Sequence, residues 1–118
     1  MQEVTLDPKL TQLAQYYASD MVRRGYSGHY SPEGDGPGER AKKAGIYTPV
    51  GENLAMNPNI TDAHYRLARS SIHLRVMTDP QWTRVGIGFA QYSNGAFRIV
   101  QEFSTTDLDQ NPIPEAQL

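Results

Sequence analysis

Between residues 25 and 38 the chain is interrupted by Gly25, Gly28, Gly34, Gly36 and Gly38 and by Pro32 and Pro37, a density of backbone breakers that no regular element tolerates. The stretch must be a loop, and loops held on a rigid scaffold are where functional residues concentrate. It carries His29. On its N-terminal side, Asp7-Pro8 offers an N-cap acceptor with proline at the first helical position. Leu10, Leu13, Ala14, Tyr17 and Met21 follow on one stripe, and Gly25 ends the helix. On its C-terminal side a short helix is predicted from Gly38 through Ala44, closed by Gly45, and another from a Thr61 cap through Ala63 and Leu67 toward Ser71. Two alternating runs, Val85, Ile87, Phe89 and Phe97, Ile99, Gln101, Phe103, are joined by Tyr92-Ser93-Asn94-Gly95 and predict an antiparallel hairpin. Residues 51–55, flanked by Pro49 and Pro58, predict a brief strand at the edge or in the middle of the same sheet.

Helices first and a hairpin later are the order of an α+β domain whose helices cover a small sheet. The 118 residues suffice for one domain. Its expected extent is residues 1–106, with 107–118 a polar tail or linker stub containing Pro112 and Pro114. Leu, Ile, Val and Phe total only 23, but the net charge is −2, so little self-repulsion opposes collapse and seven tyrosines can complete the core. That balance also lacks the basic excess that binds phosphate backbones, which argues against nucleic acid as a partner. No apolar run approaches the ~20 residues of a membrane span. Asp7, Lys9, Asp20 and Arg23 interrupt any signal-type run in the first thirty residues. The absence of cysteine removes disulfides, thiolate zinc and a cysteine nucleophile.

The histidines are His29, His64 and His73. On a continuous helix His64 and His73, nine residues apart, face opposite sides. Nothing has the i, i+4 spacing of a helical zinc site. Residue spacing by itself therefore leaves the site open.

Four runs in order carry the reading further: His29-Tyr30-Ser31-Pro32-Glu33-Gly34, Gly51-Glu52-Asn53-Leu54-Ala55, the span from Ser70 through His73 to Gly88, and Val100-Gln101-Glu102-Phe103. Pro80, Trp82, Thr83, Gly86 and Gly88 keep an ungapped register with His73, and Asp20-Met21, Pro37, Arg40 and Gly45 extend the match. The chain resembles the CAP superfamily (cysteine-rich secretory proteins, antigen 5 and pathogenesis-related proteins), in its cysteine-free bacterial, SCP-like branch. The resemblance implies a three-layer α-β-α sandwich with a small, mostly antiparallel central sheet. It also implies a cleft of two histidines and two glutamates. His29, Glu52 and His73 match three of these, and Ser70 stands in place of the second glutamate. Leu67 replaces a tryptophan, Ser71-Ile72 a Pro-Gly, and Val76 an asparagine. A family helix with an Asn-x-x-Arg pattern is expected before Leu6 and is missing here, which would open an apolar face to a partner or to self-association.

Brought together, His29, His73 and Glu52 are three ligands for a divalent ion such as zinc or magnesium, with an open position for water. The function expected from the resemblance is a secreted or cell-envelope binding module for a divalent cation or a small polar or lipid ligand. One alternative is a metal-dependent hydrolase using the same cleft, with Glu52 and Ser70 as the candidate catalytic groups. No glycine elbow surrounds Ser70, so a Ser-His-Glu triad has little support. Another alternative is a purely structural or protein-interaction domain in which Glu52 only bridges loops. Asn53 is read as a turn or backbone-bonding residue and Gln101 as a sheet residue. His64, Arg66, Arg69, Lys42 and Lys43 are read as solvated, and Tyr16, Tyr17 and Trp82 as core or cleft wall rather than a carbohydrate platform.

Overall fold

The computed structural model describes residues 5–57, 82–105 and 113. Its first helix is the one the caps specify. Helix α1 (Pro8–Arg24) begins with Asp7 Oδ1 accepting from the amides of Lys9 and Leu10 at 2.9 and 3.0 Å. It ends at Gly25, whose φ of +71° lets its amide return to the Met21 carbonyl. The stripe Leu10, Leu13, Ala14, Tyr17 and Met21 is buried. Helix α2 (Pro37–Lys43) starts with proline in its first turn and sets Ala41 and Ala44 against Leu10 and Leu13.

Among the described residues four strands form one mixed, mostly antiparallel sheet in the order β1-β3-β4-β2. They are β1 (Thr5–Leu6), β2 (Val50–Asn57), β3 (Arg84–Gln91) and β4 (Phe97–Ser104). The predicted hairpin is β3–β4, and its turn closes with the Gly95 amide on the Tyr92 carbonyl. The strand predicted at 51–55 is longer than expected and pairs antiparallel with β4 over its whole length, so that Glu52 lies opposite Glu102 and Asn53 opposite Gln101. Strand β1, parallel to β3, was not anticipated because two residues carry no readable period.

Central strand β4 is buried along nearly its whole length. Val100 packs on α1 with Ala14, Tyr17, Ala18 and Met21, and by strand alternation Arg98, Glu102 and Ser104 share that face. Ile99 on the opposite face packs with Ala55, Ile87 and Phe97. Helix α1 lies unusually close to the sheet. A β-carbon built on Gly86 would stand 2.0 Å from the Leu10 carbonyl carbon, and one on Gly88 2.2 Å from the Gln15 amide nitrogen. Helix backbone therefore rests directly on strand backbone. Two helices flanking a small mixed sheet give an α+β fold consistent with α-β-α architecture.

The helix expected from Thr61 and the residues Leu67, Ser70, Ser71, Ile72, His73, Val76 and Pro80 lie outside the described residues. So does most of the expected tail at 107–118. Its described residue, Ile113, is 3% exposed, packs with Leu10, Leu13 and Ile46, and donates its amide to Gln12 Oε1.

Gly86→Ala is expected to lower stability by about 2–3 kcal/mol, because the added methyl meets backbone that cannot rotate away. Gly38→Ala in α2, where a β-carbon meets nothing within 4 Å, should instead gain about 0.5–1 kcal/mol. Urea unfolding of both variants checks the contrast.

Candidate functional site

Arg40 brings the site together. Its position on α2 is set by the burial of neighbouring Ala41, and its guanidinium reaches across to the sheet face that carries Glu52 and Glu102. Nη1 donates to Glu52 Oε2 at 2.8 Å and Nη2 to Glu52 Oε1 at 3.0 Å, a bidentate fork. Nη2 also donates to the His29 carbonyl at 2.8 Å, and Nη1 lies 3.4 Å from Glu102 Oε1. The guanidinium carbon sits 3.3 Å from the centre of the Tyr17 ring, whose own hydroxyl donates to the Gly28 carbonyl at 2.6 Å. One cation thus ties α1, the 26–36 loop, α2, β2 and β4 into a single knot.

The two facing carboxylates titrate apart. Burial alone would raise Glu52, but hydrogen bonds from Glu102, His29 and Arg40 outweigh it and hold the group down at about 2. Glu102, fully buried beside an ionised Glu52, is pushed well above the usual carboxylate range by desolvation, reinforced by its neighbour's charge. The pair therefore shares one proton, carried by Glu102. Arg40 and Glu52 then cancel in charge, the condition under which a buried ion pair is tolerable. Glu102 Oε2 has no hydrogen-bond partner among the described residues, a deficit that costs less for a neutral carboxyl oxygen than for an anionic one.

His29 projects from the glycine-rich loop with about half of its side chain exposed, whereas the Glu52 side chain is 1% exposed. Its Nδ1 lies 2.8 Å from Glu52 Oε1. An ionised carboxylate only accepts, so Nδ1 carries the proton and Nε2 keeps its lone pair. The bond to Glu52 raises the imidazole's affinity for a second proton. This is how a carboxylate orients a histidine toward a ligand.

Of the four residues expected in the cleft, His29 and Glu52 are in contact, while His73 and Ser70 lie outside the described residues. No group of three or more His, Asp or Glu side chains arranged for a metal ion occurs among the described residues. Asn53 is a strand residue rather than a turn residue, and its Nδ2 donates to Gln101 Oε1 at 3.2 Å across the β2–β4 pair. The site roles of Arg40 and Glu102 were not read from sequence. In the sequence Arg40 stands out only for its position after the histidine loop. Glu102 belongs to the Val100–Phe103 run, but alternation at Phe97, Ile99, Gln101 and Phe103 carries no sign that it is buried opposite Glu52.

A histidine on a glycine-rich loop, braced by a buried acid from the edge of a small mixed sheet under a close-packed helix, defines a loop-bearing α+β sandwich domain. The chain belongs to the cysteine-rich secretory protein (CAP) family, whose profile matches residues 1–103. Three solved structures share the fold. An outer surface protein from Borrelia burgdorferi is 16% identical with a TM-score of 0.78, the match covering 91% of this chain and 80% of that one. An extracellular protein containing an SCP domain from Bacillus anthracis is 21% identical with a TM-score of 0.78, over 90% of this chain and 35% of that one. Venom allergen-like protein 4 from Schistosoma mansoni is 16% identical with a TM-score of 0.62, over 99% of this chain and 81% of that one. No curated protein matches the chain in sequence.

Removing the cation should cost more than removing the proton carrier. Arg40→Met strands the Glu52 carboxylate and should destabilise by about 3–5 kcal/mol, whereas Glu102→Gln, which can still donate to Glu52, should be within about 1 kcal/mol at neutral pH. The pH dependence follows the two shifts. The lowered Glu52 gives stability that is complete above its ordinary value of 4.5 and lost as pH falls toward about 2. The raised Glu102 gives stability that is complete below 4.5 and declines as pH rises until that group ionises. Wild type should therefore lose ground to Glu102→Gln as pH increases, as read by urea unfolding across the pH range.

Proposed function

We propose that this chain is a CAP-type binding module acting outside the cell or at its envelope, and that its cleft takes a divalent cation or a small polar ligand through His29. The observation that carries the reading is the half-exposed His29 ring with Nδ1 bonded to a buried carboxylate, which leaves Nε2 free to face a ligand. His73 and Ser70 complete the site in this proposal. Glu52 then serves to orient His29, since both of its oxygens are already engaged by Arg40. The location is supported by the printed descriptions of two fold relatives, one an outer surface protein and the other an extracellular protein.

Hydrolysis by the same cleft has less support. A general base works best with a pKa near the operating pH, and Glu52 is held at about 2. Glu102 is buried too deeply to touch a substrate. A second reading, in which the cluster is a structural clamp, is favoured by the way Arg40 consumes Glu52 while its hydrogen bonds join α2 to the histidine loop, β2 and β4.

Calorimetric titration with zinc and with magnesium tests the proposal. Binding by wild type that weakens at least tenfold in His29→Ala and in His73→Ala supports the cation site. Heat that is absent in wild type, with His29→Ala unchanged in stability, removes it. Loss of stability in His29→Ala without any metal heat selects the clamp. Turnover of an ester or peptide panel that disappears with chelator and with Glu52→Gln would restore the hydrolase.

A further inference from the structure

A second cleft, of about 260 Å³, opens between α1, the glycine-rich loop and α2. Arg40 is shared with the histidine cluster, but neither His29 nor Glu52 lines this cleft. We infer that it is a subsite for one neutral sugar ring, either a free monosaccharide or a unit of a longer glycan.

The first argument is charge. Three acids and three bases line the cleft, and each is matched inside the protein. Arg24 holds Glu33, Lys43 holds Asp35, Arg40 holds Glu52, and the 4%-exposed Asp20 receives Arg23 and the Tyr26 hydroxyl, both at 2.5 Å. The Arg24–Glu33 and Lys43–Asp35 pairs are exposed, whereas Asp20 and the Arg40–Glu52 pair are buried, so an ionic ligand would have to compete with a partner already in place and, at the buried groups, would leave a charge uncompensated. A neutral polyol needs no such exchange.

The second argument is the supply of unused donors and acceptors. Ser31 Oγ accepts the Asp35 amide and keeps its own hydrogen to give. Lys43 gives one ammonium hydrogen to Asp35 Oδ2, which leaves two more and leaves Asp35 Oδ1 able to accept. The Tyr16 hydroxyl has no partner among the described residues. The lining therefore offers both donors and acceptors, as sugar hydroxyls require because each gives one hydrogen bond and takes another.

The third argument is the wall. Leu13, Tyr16 and Tyr26 add aliphatic and aromatic surface to the polar lining, the combination that the C–H face and hydroxyls of a pyranose require. Tyr17 contributes no free face, since Arg40 covers it. The volume falls below the ~300–1,000 Å³ of pockets for drug-sized ligands, which limits the fit to a single ring with any further units in solvent.

Amide NMR titration of the intact chain provides the test, with glucose, galactose and N-acetylglucosamine, with their oligosaccharides, and with glutamate, lysine and inorganic phosphate as charged probes. Saturable shifts centred on Tyr16, Ser31 and Asp35 are expected for at least one saccharide, with a Kd of about 1 mM. Affinity should fall at least tenfold in Tyr16→Ser and in Asp35→Ala, and should be unchanged in His29→Ala, which separates this site from the cation cleft. Tighter binding of an oligosaccharide than of its monomer identifies a glycan as the source, and equal binding a free sugar. The inference is overturned if no saccharide saturates, if a charged probe binds more tightly, or if Tyr16→Ser binds as wild type while retaining a dispersed native spectrum.

Discussion

Among the buried cations of the described residues, Arg40 is the one on which the site depends. Stripping water from a guanidinium is costly, and it is tolerated here because Arg40 finds a bidentate carboxylate, a backbone carbonyl and an aromatic face within one turn of space. Those partners come from segments far apart in sequence. Satisfying the cation therefore also specifies where the histidine loop, α2, β2 and β4 must lie. Glu102 adapts to this arrangement by remaining protonated. Had both acids ionised, the knot would carry a net negative charge in a region that excludes water.

Much of this was legible beforehand, for identifiable reasons. Asp7-Pro8 and Gly25 bracket α1 because caps act locally, through backbone groups a few residues away. The β3–β4 hairpin was readable from alternation and from a turn sequence ending in glycine. His29 and Glu52, singled out by their likeness to family positions, lie 2.8 Å apart in the structure. Alternation carried no sign of Glu102's burial, since a central strand packed on both faces buries its polar set as thoroughly as its apolar one. Arg40 escaped for a related reason. On a short helix with Lys42 and Lys43 nearby, it looks like one more surface charge until the opposing acid is located.

Arg40 and Tyr17 also separate two chemical environments. On one side is a histidine whose exposed nitrogen is prepared by a buried acid. On the other is a tyrosine-walled cleft in which every charge has been neutralised internally. The stacked guanidinium–phenol pair belongs to both environments, since Arg40 binds Glu52 on one side while Arg40 and Tyr17 line the cleft on the other.

The seam between α1 and the sheet at Gly86 and Gly88 bears on how such a domain can respond to a ligand. Side chains at an interface normally act as a cushion, changing rotamer while two layers slide past each other. Here main chain meets main chain, and there is no cushion to compress. The clefts are also bordered by the glycine-rich loop, where Gly28 and Gly34 hold positive φ that a side chain would strain. The helix–sheet seam is therefore the face of the domain least able to yield, since any bulk added there meets main chain on both sides.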